Sequence, residues 1–151
     1  MPVTVRNTTP ADAPLIVEFN RLLAEESEGK QLDLALLRPG VARALADPAK
    51  CRYFVAEENA QALGQMMITY EWSDWRNGWI WWIQSVYVRA EARRRGVFKT
   101  LFEHVRAAAQ QDGDVAAIRL YVEKGNEVAQ RTYQRLGLEA TGYIVLERCP
   151  V

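Results

Sequence analysis

Apolar and polar positions along this chain follow two rhythms, one of period near 3.6 and one of period 2. Residues 3–6 predict a short first strand. Thr9-Pro10-Ala11-Asp12 marks a helix start, with Thr9 as N-cap, Pro10 at the first helical position and Asp12 set to close a capping box. Leu15, Ile16, Phe19, Leu22 and Leu23 recur at helical spacing and predict its buried stripe. The helix is expected to run into an acidic loop, Glu25-Glu26-Ser27-Glu28-Gly29. A second helix is expected over 32–46, with Pro39-Gly40 a candidate break and Pro48 its close.

The rhythm then changes. Residues 52–57 and 63–71 read as strands joined by a turn at 59–61, and 73–78 as a polar turn. Residues 78–88, GWIWWIQSVYV, are apolar on both faces, as a central strand covered on both sides requires. Val97, Phe98, Leu101, Phe102, Val105 and Ala108 predict one face of a helix over 96–111. A strand over 117–122 follows that crossover helix, so it is expected to lie parallel to the strand before it. A last helix over 126–136 stops at Gly137, and strands over 138–140 and 143–147 end the chain. The expectation is an α/β fold in one domain, 1–151, with a mixed sheet of about seven strands flanked by about four helices.

Composition narrows the function. The chain has 151 residues, 49% of them hydrophobic, enough for one real core. Lys+Arg and Asp+Glu both number 19, and the zero net charge argues against a nucleic-acid partner. No apolar run is long enough to span a bilayer and the N-terminus lacks a signal pattern, so a cytoplasmic protein without a membrane partner is expected. Cys51 and Cys149 are then expected as free thiols, and with one histidine, His104, no metal site is expected.

Candidate chemistry begins at residues 86–106, VYVRAEARRRGVFKTLFEHVR. A β-branched strand end leads through Arg93-Arg94-Arg95-Gly96 into a helix. A helix start offers unpaired N–H groups and partial positive charge, so the stretch suggests a phosphate pocket. A run of three arginines is also an ordinary solvated charge run. The last helix carries a second signal. Asn126 stands at its start as a good N-cap, and Ala129 and Tyr133 lie three and seven positions later on the same face.

Together the two stretches resemble the GNAT acetyltransferase superfamily, and the order of elements does so over nearly the whole chain. Arg93-Arg94-Arg95-Gly96-Val97-Phe98 looks like the family's Q/R-x-x-G-x-G/A loop. Asn126, Ala129, Tyr133 and Leu136-Gly137-Leu138 look like its N…A…Y…GF segment. The resemblance implies a GNAT-like fold, binding of acetyl-CoA as co-substrate and transfer of an acetyl group to a primary amine of a small molecule or peptide. It implies that backbone groups of Val86, Tyr87 and Val88 pair with the pantetheine arm, with Arg93, Arg94, Arg95, Gly96, Val97, Phe98, Lys99 and Asn126 on the cofactor side. Backbone N–H groups of 94–99 would hold the pyrophosphate, and Tyr133 would be the proton donor. Phe98 departs from the family's small residue, which raises the question of where its ring goes.

The base stays open. Residues 79–88 contain no acid, and Glu25, Glu26, Glu71, Asp74 or water are the candidates. Gln84 can position a group but cannot act as a base. Trp72, Trp75, Trp79, Trp81 and Trp82 are read as core for two or more of them, with the rest open as an aromatic wall for the acceptor or a subunit interface. His104 falls off the apolar face and is expected to be exposed. The tryptophans and the apolar C-terminal strand suggest a homodimer. The alternative to an enzyme is a non-catalytic acyl-CoA-binding module of the same fold.

Overall fold

Four strands in chain order form an antiparallel meander, β1 (Thr4–Asn7), β2 (Arg52–Glu58), β3 (Gln61–Ser73) and β4 (Gly78–Val88). The computed structural model describes residues 2–151. These fall into two compact units, the first ending at Leu120 and the second spanning Tyr121–Val151. In the first unit, α1 (Ala13–Glu28) and α2 (Leu34–Ala46) follow β1, and α3 (Val97–Asp112) links β4 to β5 (Val115–Leu120). β5 pairs parallel to β4, as the crossover demands, and the sheet order is β1-β2-β3-β4-β5. The second unit contains α4 (Glu127–Arg135).

Alternation along β2 assigns the faces. Tyr53 and Val55 join Ile16 of α1, Val41 of α2 and Cys51 in one buried cluster. Phe54, between them, points the other way and meets the ring of His104 on α3 edge-on at 5.2 Å. α3 buries Val97, Leu101, Phe102, Val105 and Ala109, the expected stripe shifted by one residue at its end. The sheet of the first unit therefore carries α1 and α2 on one face and α3 on the other.

Several expectations are corrected. The sheet has five strands, not about seven. Residues 138–140 and 143–147 form no strand, because β propensity makes a strand only where a partner backbone is present. Tyr143, Ile144, Val145 and Leu146 are all exposed. The acidic run at 25–28 is not loop: Glu is a good helix former, and α1 continues until Gly29, whose left-handed φ of +62° lets its N–H bond back to Ala24 and Glu25. α2 is unbroken at Pro39. The carbonyl that the proline leaves without a donor belongs to Ala35, an exposed position where water can serve it. His104 is half-buried against Phe54, not exposed.

Candidate functional site

The site begins at an irregular point of β4. Gln65 pairs with Tyr87 and Met67 with Gln84, so Met66 alone faces both Ser85 and Val86. Ser85 takes a φ of +50° there. Such a bulge bends the strand and takes backbone groups out of the ladder. Gln65, fully buried, braces it: Nε2 donates to the Ser85 carbonyl at 2.9 Å and to Asn20 Oδ1 at 2.8 Å. Asn20 Nδ2 in turn donates to the Tyr53 hydroxyl at 3.2 Å. Burial raises the Tyr53 phenol above its ordinary value, against hydrogen bonds with Asn20 and Ser85. Neither Gln65 nor Asn20 was among the expected site residues. Their signal was a polar residue at a core position: Asn20 sits on the Ile16, Phe19, Leu23 stripe and Gln65 between Leu63 and Met66.

Two cavities meet at this point. The larger, about 790 Å³, lies beneath α1 and α2 and is lined by Leu23, Leu37, Val41, Tyr53, Met67 and Ser85 among others. The smaller, about 280 Å³, is lined by Leu23, Glu26, Ser27, Val86, Tyr87, Val88 and Arg93. Leu23 and Ser27 belong to both. Consecutive residues of the bulge divide them: Ser85 lines the larger and Val86 the smaller. Residues 86–88, expected beside the pantetheine arm, thus border a cavity.

The basic turn leads away from the smaller cavity. Arg93 donates from Nε to the Val88 carbonyl at 3.0 Å and from Nη2 to both Glu26 carboxylate oxygens at 3.2 Å. Arg95 pairs with Glu58 at 2.7 Å. Two of the three arginines are thus spent on holding the loop. Arg94, with φ +63°, makes no ion pair among the described residues. Gly96 is the N-cap of α3 with φ +77°, and a Cβ placed on it would meet nothing within 4 Å. The first N–H groups of α3 have no acceptor within the helix and carry its positive dipole end. An open glycine, a free helix start and an unpaired arginine together fit a diphosphate. Phe98 does not obstruct this: its ring lies 6.2 Å from that of Phe102, 26° from parallel, along the helix stripe.

The other candidates separate. Of the four acids, only Glu26 borders either cavity, and Tyr87, whose phenol is raised by burial and then by its hydrogen bond to Glu26, lies beside it. Glu25 pairs with Arg21 at 2.9 Å, Asp74 accepts from the Trp75 N–H at 2.9 Å, and Glu71 accepts from Trp82 Nε1 at 3.2 Å. Gln84 donates to Thr69 Oγ1 at 2.6 Å. Only Trp81 of the tryptophans is fully core, Trp82 is half-buried, and none of the five borders either cavity. In the second unit, Asn126 Oδ1 accepts from the Ala129 N–H at 3.1 Å, capping α4 as expected. Tyr133 is half-buried and burial raises its phenol. Among the described residues no helix is long and apolar enough to cross a membrane.

Residues 17–138 match the model of the acetyltransferase (GNAT) family. The structure of a possible acetyltransferase from Clostridium difficile 630 is 40% identical, with a TM-score of 0.93 over 100% of this chain and 99% of that one. A predicted acetyltransferase with acetyl-CoA from Clostridium acetobutylicum has TM-score 0.78 at 20% identity, over 97% and 96% of the chains. An aminoglycoside acetyltransferase from an uncultured soil metagenomic sample, in complex with sisomicin, has TM-score 0.78 at 13% identity, over 99% and 96%. No curated protein matches the chain. With the matched family model covering most of its length and a bulged strand leading to an open helix start, the chain belongs to the GNAT acetyltransferase family.

Proposed function

We propose that this chain is an acetyl-CoA-dependent N-acetyltransferase that moves an acetyl group to a primary amine of a small molecule or peptide by direct attack in a ternary complex. The observation that carries the reading is the junction of two cavities at Ser85 and Val86. One cavity runs to the basic turn and suits the cofactor arm, and the other suits an acceptor. Acetyl-CoA supplies the activated acetyl group. An extended pantetheine carries amides that can add to residues 86–88 as a peptide strand would. The N–H groups of 94–99 and the Arg94 guanidinium hold the diphosphate, with Arg93, Arg95 and Glu26 keeping the turn in place.

Backbone N–H groups freed by the bulge are the candidate donors to the oxyanion that forms on the thioester carbonyl. The amine attacks in its neutral form, the C–N bond forms and the C–S bond breaks. The amine proton passes through water to solvent, since both Glu26 oxygens are held by Arg93, and the thiolate takes a proton from Tyr133, a role assigned from the family segment around Asn126. A single domain over 1–151, a cytoplasmic location, no nucleic-acid partner and a homodimer belong to the same proposal. The dimer rests on exposed Trp72, Trp75 and residues 143–146, and a monomeric mass by light scattering would end it. Thiol release from acetyl-CoA on a panel of amines tests the reaction. Binding of coenzyme A with no amine acetylated would favour the alternative, an acyl-CoA-binding module, for which the absence of any acid on β4 is the motive.

A further inference from the structure

Leucine, valine, alanine and methionine supply most of the surface of the larger cavity, and of its polar side chains the Ser27 hydroxyl already donates to the Leu23 carbonyl and the Thr69 hydroxyl accepts from Gln84. Leu32 and Leu36 line it with 36% and 73% of their surface exposed, and Leu36 in particular gives the fold little burial. Leu37, Val41 and Met67 continue the apolar lining inward. Polar groups gather at the floor, where Asn20, Tyr53 and Ser85 form one hydrogen-bonded set beside the bulge. The charged lining groups are solvent-exposed and sit at the mouth, each with a surface partner. Lys50 pairs with Asp47 at 2.8 Å, Glu28 lies 3.6 Å from Lys30, and Asp33 caps α2 by accepting from the Ala35 N–H at 2.9 Å. A polycation with many hydroxyls could pair at the mouth with Glu28 and Asp33, but its inner polar groups would face the apolar walls of Leu37, Val41 and Met67.

We infer that the acceptor is a monoamine with an unbranched alkyl or arylalkyl body, its nitrogen at the Tyr53–Ser85 floor and its apolar body between α1 and α2. The amine half of this inference rests on the proposed function; the apolar half rests on the cavity alone. The volume of about 790 Å³ is ample for a body of several methylenes or one ring. Gly40 of α2 also lines the cavity, and a Cβ there would meet nothing within 4 Å. A larger side chain at 40 would therefore fill the space without displacing a neighbour, and replacing glycine inside a helix favours folding.

The test is calorimetry of a homologous series of n-alkylamines and of sisomicin, each on the chain alone and on the chain with coenzyme A. The dissociation constant is expected to fall about threefold to fourfold per added methylene until the cavity is full. Gly40→Leu is expected to weaken the longest tight-binding amine at least tenfold while a parallel titration gives coenzyme A affinity within about twofold of wild type. Leu36→Ser, at an exposed position the fold tolerates, should flatten the dependence on chain length. Affinity independent of chain length, or sisomicin binding more tightly than every alkylamine, would overturn the inference. The coenzyme A titration keeps the two readings apart: loss of cofactor binding with the alkyl trend intact sinks the proposed reaction and leaves the cavity's ligand class standing.

Discussion

Gln65 Nε2 donates to the Ser85 carbonyl at 2.9 Å, joining the buried middle of β3 to the bulge of β4 twenty residues away. The same nitrogen holds Asn20 Oδ1 at 2.8 Å, so one side chain fixes both the bulge and α1 above it. Its own Oε1 is buried with no hydrogen-bond partner among the described residues. Gln65→Met keeps the length of the side chain, loses two hydrogen bonds and removes the orphaned acceptor. The losses outweigh the relief, because the Ser85 carbonyl is left without its donor. Urea denaturation should show about 1–2 kcal/mol of destabilisation. The kcat should fall more than the acetyl-CoA KM rises, since the bulge and not the phosphate turn is disturbed.

Gly64 leaves no room for a side chain between β3 and β4. A Cβ there would lie 2.6 Å from the Tyr87 carbonyl oxygen, a backbone atom that cannot turn aside. Gly64→Ala should cost about 1–3 kcal/mol in denaturant unfolding. It should also weaken coenzyme A binding, because the strand pushed back is the one bordering the smaller cavity. A variant as stable as wild type would show that the two strands can part there at little cost.

Acid should unfold the chain partly through Asp12. The Arg6 guanidinium, bonded through two nitrogens at 2.9 and 3.0 Å, holds the Asp12 carboxyl below its ordinary value, with the Thr9 N–H adding a smaller pull the same way. A carboxyl whose folded value is lowered contributes fully above its unfolded value of about 4. The contribution is lost as pH falls through the folded value. Melting temperature against pH should therefore drop more gently on the acid side for Asp12→Asn than for wild type, and the variant should be less stable at neutral pH. Parallel curves for the two proteins would remove Asp12 from the acid response.

Tyr133→Phe keeps the ring and removes the hydroxyl. A phenol, with an ordinary value of about 10, is protonated at neutral pH as a proton donor requires, and burial shifts it further upward. If Tyr133 protonates the departing thiolate, it acts mainly in the transition state, so kcat should fall by roughly a hundredfold, the low end of what general acids contribute. Coenzyme A affinity should hardly change. A kcat within about twofold of wild type at saturating acetyl-CoA would leave Tyr133 a packing residue.

Periodicity carried most of the first unit. The α1 and α3 stripes and the β2–β3 strands follow from local apolar spacing, the parallel pairing of β5 with β4 from the crossover helix between them, and the turn at Gly96 from a glycine placed before a helical stripe. The bulge at Ser85 did not show, because it depends on register between strands twenty residues apart and on Gln65 reaching across. The cavities were hidden for the same reason: they are spaces between elements. Pro39 misled because the cost of a proline depends on whether the carbonyl it orphans can reach water, which the exposed Ala35 can. Residues 143–147 misled because their β-branched and aromatic pattern states a propensity, and a strand also needs a neighbour.

The most direct measurement is product formation. Acetyl-CoA, an alkyl monoamine and the chain are incubated together, free thiol is followed with time, and the amine is recovered for mass spectrometry. The account predicts one acetylated amine per thiol released, a rate that saturates in both substrates, and a loss of at least tenfold in affinity for coenzyme A with Gly96→Val, whose side chain would strain the φ of +77° and occupy the space before α3. Coenzyme A bound equally by wild type and a folded Gly96→Val, or thiol release that no amine accelerates, would contradict it.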